Sequence, residues 1–232
     1  MRTKNNKNQK NSTNVASQTA PEPQKKKKTP KIPKSIKTIF IILLICIAGY
    51  LLITRLYMPK LRLDRINEAQ TPDWIDVQLI TLDGVSREGI KLDGYNDIVV
   101  HYVGNPGSTA QNNRDFFEGP ESDVSSHFVV GLEGEIIQCI PLNEKSAASN
   151  HRNHDTISIE VCHPDDTGKF NDATYNSLVR LVAWLADIGY LSEDHIIRHY
   201  DVTGKECPRY FVNNEDAWEQ FKTDVKKYRA TK

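Results

Sequence analysis

The chain has 232 residues, with 30 basic and 30 acidic side chains, which is room for one ordinary domain with extensions or for two small ones. The neutral total hides a split: residues 1–37 hold eleven Lys/Arg and one acid, Glu22, while the rest holds 19 basic and 29 acidic residues. That acidic bulk has no basic face to neutralise phosphates, which argues against nucleic acid as the main partner; four cysteines (46, 139, 162 and 207) without a C-x-x-C pair do not make a disulfide scaffold.

Residues 1–37 are rich in Lys, Asn, Gln, Ser, Thr and Pro. Such a segment buries too little apolar surface to offset the entropy of ordering, so it is expected to be a disordered basic tail. Thr38 to Thr54 (TIFIILLICIAGYLLIT) is an uncharged run, which Leu56, Tyr57 and Met58 extend if Arg55 snorkels. About twenty apolar residues span a bilayer core as a helix, so residues 38–57 are expected to be one transmembrane helix. A buried core helix would show a polar face, and a cleaved signal peptide would have a shorter leader and a small-residue cleavage site. The basic leader belongs on the cytoplasmic side, which places the C-terminal bulk outside the cell membrane. Residues 58–76 are charged without a sustained period and read as a stalk.

From residue 77 to 232 strand and helix signals alternate. Asp97–Val103 is a β-branched run that reads as a central strand. Ser108 follows Pro106-Gly107 and can cap a helix reaching Phe117. Ser126–Val130 and Glu135–Ile140 flank Leu132-Glu133-Gly134 as a hairpin, and Thr156–Cys162 alternates as a strand. Asp172–Ile188 has an apolar face, a cap at Asn171 or Asp172 and a stop at Gly189. Ile196–Arg198 is a short strand, and Trp218, Phe221, Val225 and Tyr228 mark a last amphipathic helix. The mixture predicts an α/β domain: a mixed β-sheet flanked by helices, preceded by one transmembrane helix.

The stretch HYDVTGKEC, His199 to Cys207, puts an imidazole, an ammonium and a thiol in one loop. Together with His101 at the end of the central strand, His199 and Cys207 can supply three ligands to one Zn2+ and leave a fourth tetrahedral position open, the pattern of a catalytic site. Each residue alone has a plainer reading: a lone His is more often on the surface or satisfied in a core, and a lone Cys is a small buried apolar group. If Ile159 and Val161 face one side of their strand, Glu160 faces the other, either as an exposed carboxylate or as a general base. Lys205 is either a solvated lysine or a positive charge beside an oxygen that becomes negative in a tetrahedral intermediate.

The segments IVVHYVGNPGS, SSHFVVGLEGEIIQCIP, TISIEVCH and IIRHYDVTGKECP resemble, in order and spacing, the zinc N-acetylmuramoyl-L-alanine amidases, a family of bacterial autolysins, phage endolysins and peptidoglycan recognition proteins. The resemblance covers residues 90 to 228. It implies a mixed sheet with flanking helices, and zinc held by His101, His199 and Cys207 as metal ligands. Glu160 and Lys205 are implied as catalytic residues, and peptidoglycan as partner. The implied reaction is hydrolysis of the amide between N-acetylmuramic acid and L-alanine of the stem peptide. Two other functions share these residues: a non-catalytic peptidoglycan-binding sensor, and a zinc peptidase acting on the stem peptide. Ser126 stands where many members carry Tyr, and Ser146–His151 replaces a family turn with an extra His. His127 is expected to be structural or groove-lining. His151, His154, His163 and His195 are expected to be solvated or hydrogen-bonded at the surface. Substrate discrimination is expected in the loops 105–113 and 146–155. Cys139 and Cys162 are either a disulfide across adjacent strands or two buried thiols.

Overall fold

The computed structural model describes residues 33–82 and 85–231; residues 1–32, most of the expected basic tail, lie outside them. The chain divides into two compact units, one ending at Leu44 and one beginning at Ile45. Helix α1 (Lys34–Leu52) contributes to both and buries none of its residues. Ile39, Phe40, Leu44 and Ile45 are each more than half exposed. A helix that is apolar all round belongs in a core or in lipid, and this one belongs to no core among the described residues. By length and composition it can cross a membrane.

In the second unit, a π-helical turn (Ile53–Tyr57) leads directly into helix α2 (Met58–Glu68). The expected stalk is therefore corrected over this stretch, which packs on the domain. Pro59, Arg62 and Ile66 are buried three and four residues apart, the spacing of one helix face. Ile66 joins the main core, with Leu63 packed against it. Arg65 donates from Nε to the Ile188 carbonyl at 2.7 Å and covers the Tyr190 ring at 3.7 Å. Arg62 sits in the buried face itself and interrupts the apolar stripe in the sequence, which is why the segment reads as a stalk.

Among the described residues, strands β1 (Asp76–Val77), β2 (Asp97–Val100), β3 (Phe128–Val130), β4 (Ile136–Gln138), β5 (Thr156–Val161) and β6 (Ile196–Arg198) form one sheet in the order β1-β4-β3-β5-β2-β6. Only β3 and β4 pair antiparallel, as the predicted hairpin; the other pairs are parallel. The hairpin turn requires Gly134: its φ is +84°, and a Cβ there would lie 2.8 Å from Ser177 Oγ. Helices α3 (Ala110–Glu118), α4 (Asp172–Gly189), α5 (His199–Thr203), α6 (Arg209–Asn213) and α7 (Glu215–Ala230) complete the domain, which is the expected mixed sheet with flanking helices.

Alternation along the strands builds two cores. Ile157, Ile159 and Val161 of β5 face α4 and α7 with Ile98, Val100, Leu178, Leu181 and Phe221. Cys162 faces the opposite layer with Val129, Ile137, Cys139 and Phe117 of α3. Cys139 and Cys162 are free, buried thiols, so the disulfide alternative is not realised. The Asn171 side chain caps α4 by accepting from Thr174 N at 2.9 Å, as predicted. The cap of α3 is Thr109 rather than Ser108, in a reciprocal pair with Asn112; the Ser108 hydroxyl instead donates to the Asn105 carbonyl at 2.8 Å.

Candidate metal centre

In the sheet β2 lies between β5 and β6, and all three run parallel. Val100 pairs with Ile159 on one side and Arg198 on the other. The next residue along each strand is therefore His101, Glu160 and His199, side by side at the carboxyl ends, where open parallel sheets gather their ligands. Cys207 returns to this end through α5 and the turn at Gly204, whose φ of +78° closes the helix. Its carbonyl accepts from Tyr200 N at 2.9 Å.

The ligand atoms of His101, His199 and Cys207 all lie within 4.8 Å of one another. Sγ of Cys207 is 3.9 Å from His101 Nδ1, and the two imidazole centroids are 4.6 Å apart. The outer ring nitrogens are held by neighbouring residues of one loop: His101 Nε2 lies 3.3 Å from Ser149 Oγ, and His199 Nε2 lies 2.9 Å from Asn150 Oδ1. An Nε2–H donated to these oxygens leaves each Nδ1 as a free lone pair, the state a metal needs. Burial, then the charges of His199 and Lys205, hold the His101 pKa well below the ordinary value; burial and Lys205 lower that of His199. Both rings are thus neutral ligands at physiological pH.

Cys207 is buried, which with the Glu160 charge pushes its thiol up to about 12, against a backbone hydrogen bond from Tyr102 and the Lys205 charge. A thiol in that state becomes a thiolate only beside a strong cation. Two neutral imidazoles and one such sulfur fit Zn2+ with one position left over. Glu160 stands beside the cluster with Oε1 3.8 Å from His101 Nδ1, and its Oε2 is buried without a hydrogen-bond partner. Burial raises its pKa to about 8, opposed by Lys205. All five predicted site residues line one cavity of about 200 Å³, floored by Ala147 and Ala148 of the second expected groove loop. A larger cleft of about 470 Å³ continues from it past Val103, Phe117 and Val124 to Asn105 and Asn112.

The remaining histidines separate. His127 is structural: it is fully buried, bonded through Nε2 to the Glu144 carbonyl at 2.8 Å. His163, expected at the surface, is buried, with Nδ1 2.7 Å from the Asp165 carbonyl. His195 pairs with Asp97 at 2.9 Å. Ser126 is buried and donates to the Phe128 carbonyl at 2.7 Å. Ser149 and Asn150 are the site residues that sequence reasoning missed. The available signal was Ser-Asn in a polar loop, since Asn tolerates the left-handed backbone that Asn150 adopts at φ +53°.

Residues 93–210 match the profile of the N-acetylmuramoyl-L-alanine amidase family. Two relatives are the N-acetylmuramoyl-L-alanine amidases BlyA of Bacillus subtilis (strain 168) and CwlL of Bacillus licheniformis. They are 32% identical over 167 and 163 residues; each alignment covers 63% of this chain and 45% of the relative. The chain thus spans less than half the length of these relatives. The catalytic domain of XlyA superposes with a TM-score of 0.58 at 27% identity, over 65% of this chain and 98% of that domain.

Proposed function

Since the chain belongs to the N-acetylmuramoyl-L-alanine amidase family, we propose that it hydrolyses the amide joining N-acetylmuramic acid to L-alanine in peptidoglycan, from a position anchored in the cell membrane by α1. One observation carries the reading: three ligand atoms within 4.8 Å of one another, beside a buried carboxyl oxygen that has no hydrogen-bond partner among the described residues. A surface built only to bind a polymer has no use for that combination.

His101, His199 and Cys207 would hold the zinc ion. When bound, zinc supplies a Lewis acid for the scissile carbonyl and acidifies water near neutral pH. Glu160 is the proton acceptor. Its side chain is too buried to ionise readily alone, and a nearby cation together with Lys205 favours the carboxylate, which takes a proton from the attacking water. The same group then holds that proton next to the departing alanine nitrogen. Lys205 is exposed at the cavity mouth, where its ammonium stabilises negative charge growing on the carbonyl oxygen. Ser149 and Asn150 keep both imidazoles turned. The adjoining cleft, with the side chains of Asn105 and Asn112 and the faces of Phe116 and Phe117, suits a ligand that is part sugar, part peptide.

The anchor reading rests on the exposed apolar helix and on the lysines that precede it. Lys25 to Lys28 and their neighbours favour the cytoplasmic side, which leaves the amidase domain outside, where its polymer is. The test uses the full chain, purified in detergent and incubated with peptidoglycan, with and without a chelator. New ends are identified by mass spectrometry. Free L-alanine amino termini that appear only with metal support the amidase reading. Cleavage within the stem peptide would assign a peptidase, and binding with no new ends a sensor.

A further inference from the structure

At the end of β2 opposite the metal cluster, a cleft of about 1110 Å³ is lined by the π-helical turn, the start of α2 and the start of β2. Its two walls differ in character. One is the end of the apolar helix, with Tyr50 and Ile53 both more than half exposed. The other is charged, with Arg62, Arg152 and His195 around the Asp97 carboxylate, and Arg55 also lines the cleft.

Arg62 is the unusual member. Only 9% of its surface is exposed, and its Nε is buried without a hydrogen-bond partner. The acid whose charge acts on it, Asp97, is already engaged by His195 Nδ1 at 2.9 Å and by Arg152. Arg152 in turn is held by Asp155 at 2.8 Å. Arg62 therefore lies within the field of a carboxylate whose oxygens are committed elsewhere. A buried guanidinium with an idle donor is unfavourable unless an acceptor enters the cleft. Arg55 is exposed and forms no ion pair among the described residues. Two guanidinium groups in one cleft match a tetrahedral oxyanion, because their planar donors engage phosphate oxygens in pairs. The cleft is far larger than a free phosphate needs, and its second wall is apolar. A ligand with an anionic head and a hydrocarbon tail satisfies both walls.

We propose that this cleft binds the phosphate headgroup of an anionic phospholipid, with the headgroup on Arg62 and Arg55 and the acyl chain along Tyr50 and Ile53. The proposal rests on the membrane-anchor reading given above. It makes the π-helical turn more than a connection: the turn presents Arg55 to the headgroup while α2 holds Arg62 against the domain. Such a contact fixes the domain on the bilayer surface.

The test reconstitutes the full chain into phosphatidylcholine vesicles with trace spin-labelled phosphatidylglycerol or spin-labelled phosphatidylcholine. The motionally restricted fraction of each lipid is then read by electron spin resonance. The expected result is a several-fold preference for phosphatidylglycerol that falls to the phosphatidylcholine level in Arg55→Gln and Arg62→Gln. Arg55 is exposed, so its variant carries the test even if Arg62→Gln lowers stability. Insertion is read separately, by resistance of the vesicle-bound protein to alkaline carbonate. Full insertion with no lipid preference overturns the headgroup site alone. Loss of the protein to carbonate overturns the anchor, and the site with it. Displacement of labelled phosphatidylglycerol by millimolar inorganic phosphate overturns the lipid assignment in favour of free phosphate.

Discussion

Glu160 has a neighbour for one carboxyl oxygen, His101 Nδ1 at 3.8 Å, and none for the other. A structural carboxylate is bonded at both, so the orphaned Oε2 points to a reactant. Glu160→Gln keeps the size and removes the proton acceptor. Turnover on purified sacculi should fall by about 10²–10⁴-fold, with zinc content by atomic emission unchanged. Loss of zinc along with activity would make Glu160 a ligand rather than a base. Asn150 acts one step further out, through His199 Nε2 at 2.9 Å. Its φ of +53° means that alanine would add backbone strain, so glycine is the cleaner replacement. Asn150→Gly should weaken zinc binding by about 10–100-fold, measured by competition with a chromophoric chelator. An unchanged affinity would leave His199 oriented by packing alone.

At the scale of elements, α2 decides whether the domain begins at a tether or at a docked helix. Ile66 is 2% exposed and belongs to the main core. Ile66→Ala should lower stability by about 2–4 kcal/mol in urea unfolding; a flexible stalk would show no change. The sequence concealed this helix because its buried face includes Arg62, and a charged residue interrupts an apolar stripe when only hydropathy is read. Elements with an apolar run on the face toward the main core were legible. Examples are β2 and β5 with their β-branched runs, α4 with Asn171 before it and Gly189 at its end, and the hairpin around Gly134. The strand β1, two residues at the sheet edge, has no period to detect. The short helix α5 was read as loop, since five residues are too few to show a repeat. The metal ligands were legible through the motifs around them. Their convergence, however, depends on β2 lying between β5 and β6, a strand order that no local pattern encodes. Ser149 and Asn150 were missed for a related reason: they meet the ligands only through the fold.

For the molecule as a whole, acid stability depends on a histidine that takes no part in the site. His127 is fully buried where β3 begins, joined to β5 and to the loop before it. Its Nε2–H donates to the Glu144 carbonyl at 2.8 Å, while Nδ1 accepts from Ser158 N–H at 3.1 Å. Protonation would turn that acceptor into a donor facing a donor. Burial accordingly lowers its pKa from 6.5 to about 4, against the pull of Glu144. The unfolded chain binds this proton at about 6.5 and the folded chain resists it until about 4, so unfolding takes up a proton between those values. Stability is therefore complete above about 6.5, declines as pH falls, and has lost about 3 kcal/mol from this group by pH 4. His101 and His199, also held below their ordinary values, add to the decline in the same direction. Asp97, lowered below 3.8 because bonds from His195 and Arg152 outweigh its burial, acts only at lower pH. Urea unfolding of the chelated protein at pH steps from 7.5 to 4 separates the contributions. His127→Gln should be less stable than the parent at pH 7.5 and show a shallower loss on acidification, so that the two curves converge toward pH 4. Parallel curves would mean that the His127 pKa is the same in the folded and unfolded chain, so that its burial and hydrogen bonds do not resist the proton.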